Sequence, residues 1–530
     1  MLLEVAQRPE RHRALLDAAE PQFPTALLYC ERGGSEDIRR ANDLALGIAS
    51  VPGGDIGWQI VDVGILLTRH ADKLTAAART HLADLLVQSL AAWMPRDFGR
   101  GNVNHPMVAT WLLAAAGVVL ERPDCSQMAN ERLRRFLHIF SQTGEMSEYN
   151  SPTYLGPTLI ALANLGTYAA DRATRLRARL IEERLWASVA ARWHAPSQQL
   201  AGPHSRAYAD STVGGGGIMR YLMHAVLEAP VFWDDRLSQR YEHHHEAEWA
   251  TKVAASTFYF PPYLRAVAEG KDLPYAVQAD TDCEDYTVDG REIYRGGRSH
   301  LTTYLTAAYC LGSAEKLYVD GGQTEGCIAF WPRHVPVRSG DDVRSLYFRY
   351  IANERLPLQR NHYWRWYGGQ ERDYGPDLLH QDGRLHALQH RGKVVLLAQP
   401  KRRENGRLRS LRLDALLPLS GPVDEIWLGE QRLGSLPATA GWETSVLLRE
   451  GEVYLALRPL CPTDLGGGTP ALQIAQANRH LIVSVYNLRG EAEREFPAHV
   501  LDQTHNGLVL EIGLAQEWGD FAAFRRHIAG

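Results

Sequence analysis

Apolar residues recur at helical spacing through the first half of the chain, as in Leu133, Phe136, Leu137 and Phe140. Ala-, Leu- and Arg-rich stretches at 74–94, 105–120, 126–141, 154–170, 172–194 and 211–228 are the predicted helices. Turn residues such as Arg122-Pro123-Asp124 and Ala195-Pro196-Ser197 join them. From about residue 280 the pattern changes to short runs rich in Val, Leu, Tyr and Thr, bounded by Gly, Pro or charged turns. Strands are expected at 300–312, 316–322, 393–400, 453–459, 480–488 and 508–514. Helices followed by segregated strands predict an α+β multidomain protein rather than a βαβ sheet. The expected division is 1–275 helical and 276–530 an antiparallel β-sandwich.

The helices alternate in character. Those beginning near 105, 154 and 211 are apolar on nearly every side, whereas 126–141 and 172–194 carry charge on one face, including Arg132, Arg134, Arg135, Arg175, Arg177, Arg179, Glu182 and Glu183. A helix apolar all round is buried all round. Concentric inner and outer rings need such alternation, so the expected architecture is an α/α toroid, an incomplete barrel of helical hairpins, with a repeat of about 50 residues.

A length of 530 residues exceeds what one core normally serves. Formal net charge is -5 with no basic block, which argues against a nucleic-acid partner while leaving room for a locally positive pocket that takes an acidic sugar. No apolar stretch is long enough to span a membrane, and the N-terminal MLLEVAQRPERHRALLDAAE lacks the apolar core of a leader. The six cysteines are scattered without a CxxC pair, so neither a zinc ribbon nor a dense disulfide framework is expected. A reduced cytoplasmic protein is the simplest expectation. No cofactor and no metal is implied, and self-association into a homo-oligomer stays open.

Three polar clusters stand just before the predicted inner helices: Gly101-Asn102-Val103-Asn104-His105-Pro106, Glu148-Tyr149-Asn150-Ser151-Pro152-Thr153-Tyr154, and Gly202-Pro203-His204-Ser205-Arg206-Ala207-Tyr208-Ala209-Asp210-Ser211. Inner helices of a toroid run the same way, so these loops are expected to gather at one mouth of the ring. Helix capping alone accounts for Asn104, Ser151 and Asp210, with Pro106 or Pro152 in a first turn. It does not account for His105, Tyr154, His204, Arg206 and Tyr208 in the same loops. The run Gly214-Gly215-Gly216-Gly217 fits close approach of either a ligand or another backbone. Glu242-His243-His244-His245-Glu246 fits a solvated outer helix better than a metal site, because adjacent helical residues point in different directions. In the second half, Asn361-His362-Tyr363-Trp364-Arg365-Trp366-Tyr367 is dense enough in aromatic and polar groups to line a sugar site, but fits ordinary sandwich core with an alternating exposed face slightly better.

With these residues in view, the chain resembles the heparinase II/III-like and alginate-lyase-like polysaccharide lyases. Asn104-His105 followed by Trp111 looks like the Asn-His pair on an inner helix of those enzymes. His204, Arg206 and Tyr208 look like their histidine, arginine and tyrosine cluster. The segments EYNSPTY and GPHSRAY are similar to segments of poorly characterised relatives. The resemblance implies an α/α toroid joined to an antiparallel β-sandwich, and β-elimination at a uronic acid within an acidic oligosaccharide or polysaccharide.

Such chemistry needs the uronate carboxylate neutralised, the C5 proton removed and the leaving O4 protonated. Asn104, His105 and Arg206 are the candidates for neutralisation, with Asn150 an additional donor. Tyr208 is the candidate acid and base, with His204 the alternative base. Tyr149, Tyr154, Glu148, Asp210 and His362 are candidate substrate-binding residues. Two other functions compete. A glycoside hydrolase on the same scaffold would use two carboxylates, for which Glu145, Glu148 and Asp210 are available. A non-catalytic glycan-binding protein would bind without forming product.

Overall fold

The computed structural model describes residues 13–17, 25–49, 56–98, 102–232, 248–283, 286–288, 291–294, 297–318, 324–354, 356, 360–363, 372–376, 381–400, 405–467 and 471–530. The first half is helical: α1 (Ala26–Arg32), α2 (Ser35–Gly47), α3 (Gln59–Arg69), α4 (Ala76–Trp93), α5 (Asn104–Val119), α6 (Pro123–Thr143), α7 (Leu155–Tyr168), α8 (Arg172–Arg192), α9 (Ala209–Thr212), α10 (Met219–Val226), α11 (Trp249–Ala254) and α12 (Pro262–Gly270). Local chemistry sets several boundaries. The Thr75 and Asp171 side chains accept from Ala78 N and Thr174 N at the starts of α4 and α8. Pro123 opens α6, and Gly144 closes it in the left-handed conformation.

The predicted alternation of buried and one-faced helices is present. Helix α5 is buried on all sides from Pro106 to Ala116, and α7 from Leu155 to Gly166. In α6 the buried set is Cys125, Ala129, Arg132, Leu133, Phe136 and Phe140, a stripe at helical spacing. Helix α5 packs against both α6 and α7, α7 packs against α8, and α3 packs against α4 and α5. Short connections make α5–α6 and α7–α8 antiparallel hairpins, so the N-termini of α5 and α7 lie at the same end.

One predicted helix does not exist as such. The stretch 211–228 is α9, then the four glycines, then α10. Gly214, Gly216 and Gly217 have φ of 102°, 82° and 58°, which a continuing right-handed helix does not permit. A Cβ on Gly214 would stand 2.9 Å from Val343 Cβ, and one on Gly217 3.0 Å from the Pro152 carbonyl. Close approach of neighbouring chain, rather than of a ligand, explains the run.

Apart from a short antiparallel hairpin, Trp193–His194 with Gln199–Leu200, described strand structure begins at Tyr275–Cys283. A nine-stranded sheet runs in spatial order Ala438–Gly441, Ala471–Ala477, His480–Pro497, Asn405–Pro418, Val343–Ala352, Cys327–Pro332, Cys310–Ala314, Gly297–Leu305 and Tyr275–Cys283. A seven-stranded sheet runs Gly383–His390, Lys393–Pro400, Asn506–Leu514, Val453–Pro459, Val446–Glu450, Glu425–Leu428 and Gln431–Arg432. Neighbouring strands are antiparallel in both. The predicted strand at 300–312 is two strands, because Thr306 Oγ1 accepts from the Ala308 and Tyr309 amides and turns the chain. Residues 316–318 form no strand, and 319–322 of that predicted run lie outside the described residues.

Alternation along Val343–Ala352 shows how the halves meet. Leu346, Phe348 and Tyr350 face the core shared by the two sheets, with Leu396, Leu455 and Leu510 from the opposite sheet. Tyr347 and Ile351 point the other way and pack with Ala201, Val213 and Phe232 of the helical half. The nine-stranded sheet is therefore buried on both faces here, by its partner sheet and by the loops around 201–213. No described helix is long and apolar enough to cross a membrane.

Candidate functional site

Glu148 organises the site. Its carboxylate is fully buried and accepts from Val103 N at 3.2 Å, Asn104 N at 3.0 Å, Asn104 Nδ2 at 2.8 and 2.9 Å, and Arg206 Nη1 at 3.0 Å. The first two of these donors are amides at the start of α5, which would otherwise lack partners. Glu148 thus supplies the cap for which Asn104 was a candidate; the N-cap position is Val103, whose side chain cannot serve. A negative charge there also suits the positive end of the helix.

The chain of contacts continues toward solvent. Arg206 Nη2 donates to Tyr154 Oη at 2.9 Å, and the guanidinium carbon lies 3.8 Å from the centre of the Tyr154 ring. The Tyr154 and Tyr208 hydroxyls are 2.5 Å apart. Both tyrosines are half-buried, whereas Asn104 and Glu148 are wholly buried. The Tyr154 oxygen accepts from Arg206, and in the Tyr154–Tyr208 pair either hydroxyl can be the donor, so a proton lost from Tyr208 leaves Tyr154 to donate to it. Ser151 fixes the geometry: its hydroxyl accepts from Tyr154 N at 2.9 Å and donates to Arg206 O at 2.6 Å.

The remaining candidates occupy other places. His204 is 1% exposed, donates from Nε2 to Leu200 O at 2.9 Å, and lies near Phe330 of the sheet. Burial pushes its pKa down from 6.5 to about 4, partly opposed by that hydrogen bond, so it is neutral at ordinary pH. Asn150, with φ of 46°, spends its amide on Ala201 O and Pro203 O. Tyr149 is buried with its ring edge-on to Tyr318. Asp210 is buried, accepts from Ser211 N at 2.7 Å and lies 3.7 Å from Arg220 Nη1. His105 is half-buried, its ring 4.9 Å from Trp58 and 5.6 Å from Trp93. His362 lies on a two-stranded element, Arg360–Tyr363 with Arg372–Pro376, and its side chain is outside the described residues, as are Glu242 to Glu246.

Two sets of residues were not anticipated. Trp58 stands immediately before α3, as Asn104 and Tyr154 stand at the starts of α5 and α7, and its ring also meets Trp249 at 5.4 Å. That positional equivalence was the signal available in the sequence. Glu325, which meets the 202–212 loop from the sheet half, and Arg349, which pairs with it, carry no signal of this kind. Among the described residues no cluster of three or more His, Cys, Asp or Glu could hold a metal ion.

A family model described as a domain of unknown function (DUF8769) matches residues 99–257, a stretch that includes all three polar clusters. No curated protein matches. Among solved structures the chain is similar to a chondroitin AC lyase from Streptomyces coelicolor A3, solved as a tyrosine-to-alanine variant. Identity is 12% and the TM-score 0.36, over 98% of this chain and 76% of that one. A likeness that loose does not bear on activity, so the chemistry rests on the residues.

Proposed function

We propose that the protein is a polysaccharide or oligosaccharide lyase that cleaves a uronic-acid-containing glycan by β-elimination. The observation that carries this reading is the continuous line of hydrogen bonds from buried Glu148 through Arg206 to the half-buried Tyr154–Tyr208 pair. A guanidinium donating to one phenol, which donates to a second, stabilises negative charge on the outer oxygen. Tyr208 as tyrosinate takes the C5 proton. The C5 electron pair forms the C4–C5 double bond as the C4–O4 bond breaks, and the phenol just formed returns the proton to O4. The same oxygen acts as base and then acid, so the proton lost at C5 ends on the leaving chain.

The carboxylate beside C5 must be neutralised for that proton to leave. Arg206, held by Glu148 and directed at Tyr154, is the cation at this point. Glu148 and Asn104 act behind it, by fixing its direction. Trp58 and His105, at the starts of neighbouring helices, offer ring faces on which a pyranose can stack. The α/α toroid with a β-sandwich is the architecture this reading implies.

The hydrolase alternative is less well supported. It requires two carboxyl groups about 5–9.5 Å apart and open to the glycosidic bond. Glu145, Glu148 and Asp210 are all buried, against Arg192, Arg206 and Arg220 respectively.

Incubation with alginate, heparinoid, chondroitin and glucuronan oligomers, monitored by the ultraviolet absorbance of an unsaturated uronate, tests the proposal. Product from at least one of them is expected, and Tyr208→Phe should lower turnover by about 10²- to 10⁴-fold. Absence of unsaturated product with every oligomer, or full activity in Tyr208→Phe, would reject it.

A further inference from the structure

The loop that carries Arg206 and Tyr208 is held from the sheet side at successive points. Thr303 Oγ1 donates to Gly202 O at 2.6 Å. His204 and Glu325 exchange backbone hydrogen bonds, each 3.0 Å, as an isolated antiparallel bridge. Thr324 Oγ1 donates to Ser205 O at 2.9 Å. Thr212 Oγ1 lies 3.0 Å from both Glu325 Oε1 and Tyr208 O, two acceptors that share its single proton, so Thr212 places the Glu325 carboxylate beside the backbone of Tyr208. Arg206 and Tyr208 thus sit between two anchors, His204 and Thr212, that both lead to Glu325.

Glu325 is itself fixed by charge. Arg349, on the strand Val343–Ala352, reaches both carboxylate oxygens, at 2.8 and 2.5 Å, and both residues are almost completely buried. A buried ion pair is a poor means of adding stability, since desolvation offsets most of its attraction and an apolar pair often does as well. What it supplies is direction: a forked guanidinium holds a carboxylate in one orientation. Tyr347, Ile351 and Phe330 already give this contact an apolar core.

We propose that Glu325 is a positioning residue, which together with Arg349 sets from the β-sheet half the register of the loop presenting Arg206 and Tyr208. The proposal rests on the assignment of Tyr208 above. Placement errors of about 1 Å at a reacting group cost about 100-fold in rate, so the sheet-side anchors matter even though Asn150 and Ser151 hold the same loop from the helical side.

The test compares the wild type with Glu325→Gln/Arg349→Met, in which neither charge is left alone, and with Thr212→Val/Thr324→Val, in which only two hydroxyls are lost. Both should fold, judged by circular dichroism. Two readouts are taken. In the oligomer assay kcat should fall about 10- to 100-fold with KM little changed. In a spectrophotometric titration of the phenol removed by Tyr208→Phe, ionisation should move to higher pH in both variants, because a displaced loop loses the Arg206–Tyr154 donors. A folded variant pair with wild-type kcat and wild-type phenol titration overturns the proposal. If the wild type yields no product from any oligomer, the lyase reading fails by itself, and the phenol titration still decides whether Glu325 positions the loop.

Discussion

At the scale of single residues, Glu148 is a buried carboxylate with partners at the start of α5 and on the 202–212 loop. It joins the amide end of α5, the Asn104 side chain and the Arg206 guanidinium. Glu148→Gln replaces an acceptor of several charged and neutral donors by a group with one acceptor oxygen and two donors that meet only N–H groups. Removing one partner of a buried pair commonly costs about 3–5 kcal/mol. The thermal midpoint should therefore fall by several degrees, and turnover should fall with it as Arg206 loses its direction. Unchanged melting in Glu148→Gln would show that the network is weaker than its geometry indicates. Asn104→Ala, which leaves Arg206 paired, should cost less on both measures.

The elements carry a second kind of constraint, that of close approach. Gly312 lies on the strand Cys310–Ala314, directly against the Gly202–Pro203 backbone, and a Cβ there would fall well inside contact with the Gly202 carbonyl. Gly312→Ala should force the strand and the loop apart, with a loss of about 1–3 kcal/mol from overpacking and a drop in turnover, since Arg206 lies a few residues downstream. Gly270→Ala is the control: its Cβ meets nothing within 4 Å, and denaturant unfolding should not distinguish it unfavourably from the wild type. At this scale the sequence was partly legible. The helices at 126–141 and 172–194 could be found because a one-sided apolar stripe has a period. The break within 211–228 could not be placed, because a glycine run reads as either a ligand approach or a packing contact until the facing chain is known.

For the molecule as a whole, the contact between the halves is sensitive to acid. His194 and His204 are both buried in it, and burial lowers each pKa from 6.5 to about 4. A group whose folded pKa lies below its unfolded value binds more protons when unfolded, so stability falls as pH falls. Here the loss begins below about pH 6.5 and is complete near pH 4, where the folded state titrates as well. His480, on the nine-stranded sheet, behaves alike. The thermal midpoint measured across this range should decline, and His204→Gln, which cannot gain a charge, should decline less steeply. Equal slopes for the two proteins would remove His204 from the account.

Period and composition alone determined which halves of this chain are helix and strand, because an apolar stripe and a two-residue alternation are local properties of a sequence. They also put Glu148 and Tyr154 just before a buried helix, whereas Asn104 proved to open its helix and the single helix expected after Arg206 and Tyr208 is broken in two. Only the tertiary structure decided what each of them meets. That Glu148 faces Asn104 and Arg206, that His204 turns into the sheet instead of toward Tyr208, and that Glu325 holds the loop from the other half all depend on contacts between residues 44 to 121 positions apart. Such contacts leave no periodic trace, since hydrogen-bond partners are chosen by proximity in space and burial is settled by whatever the rest of the chain brings alongside.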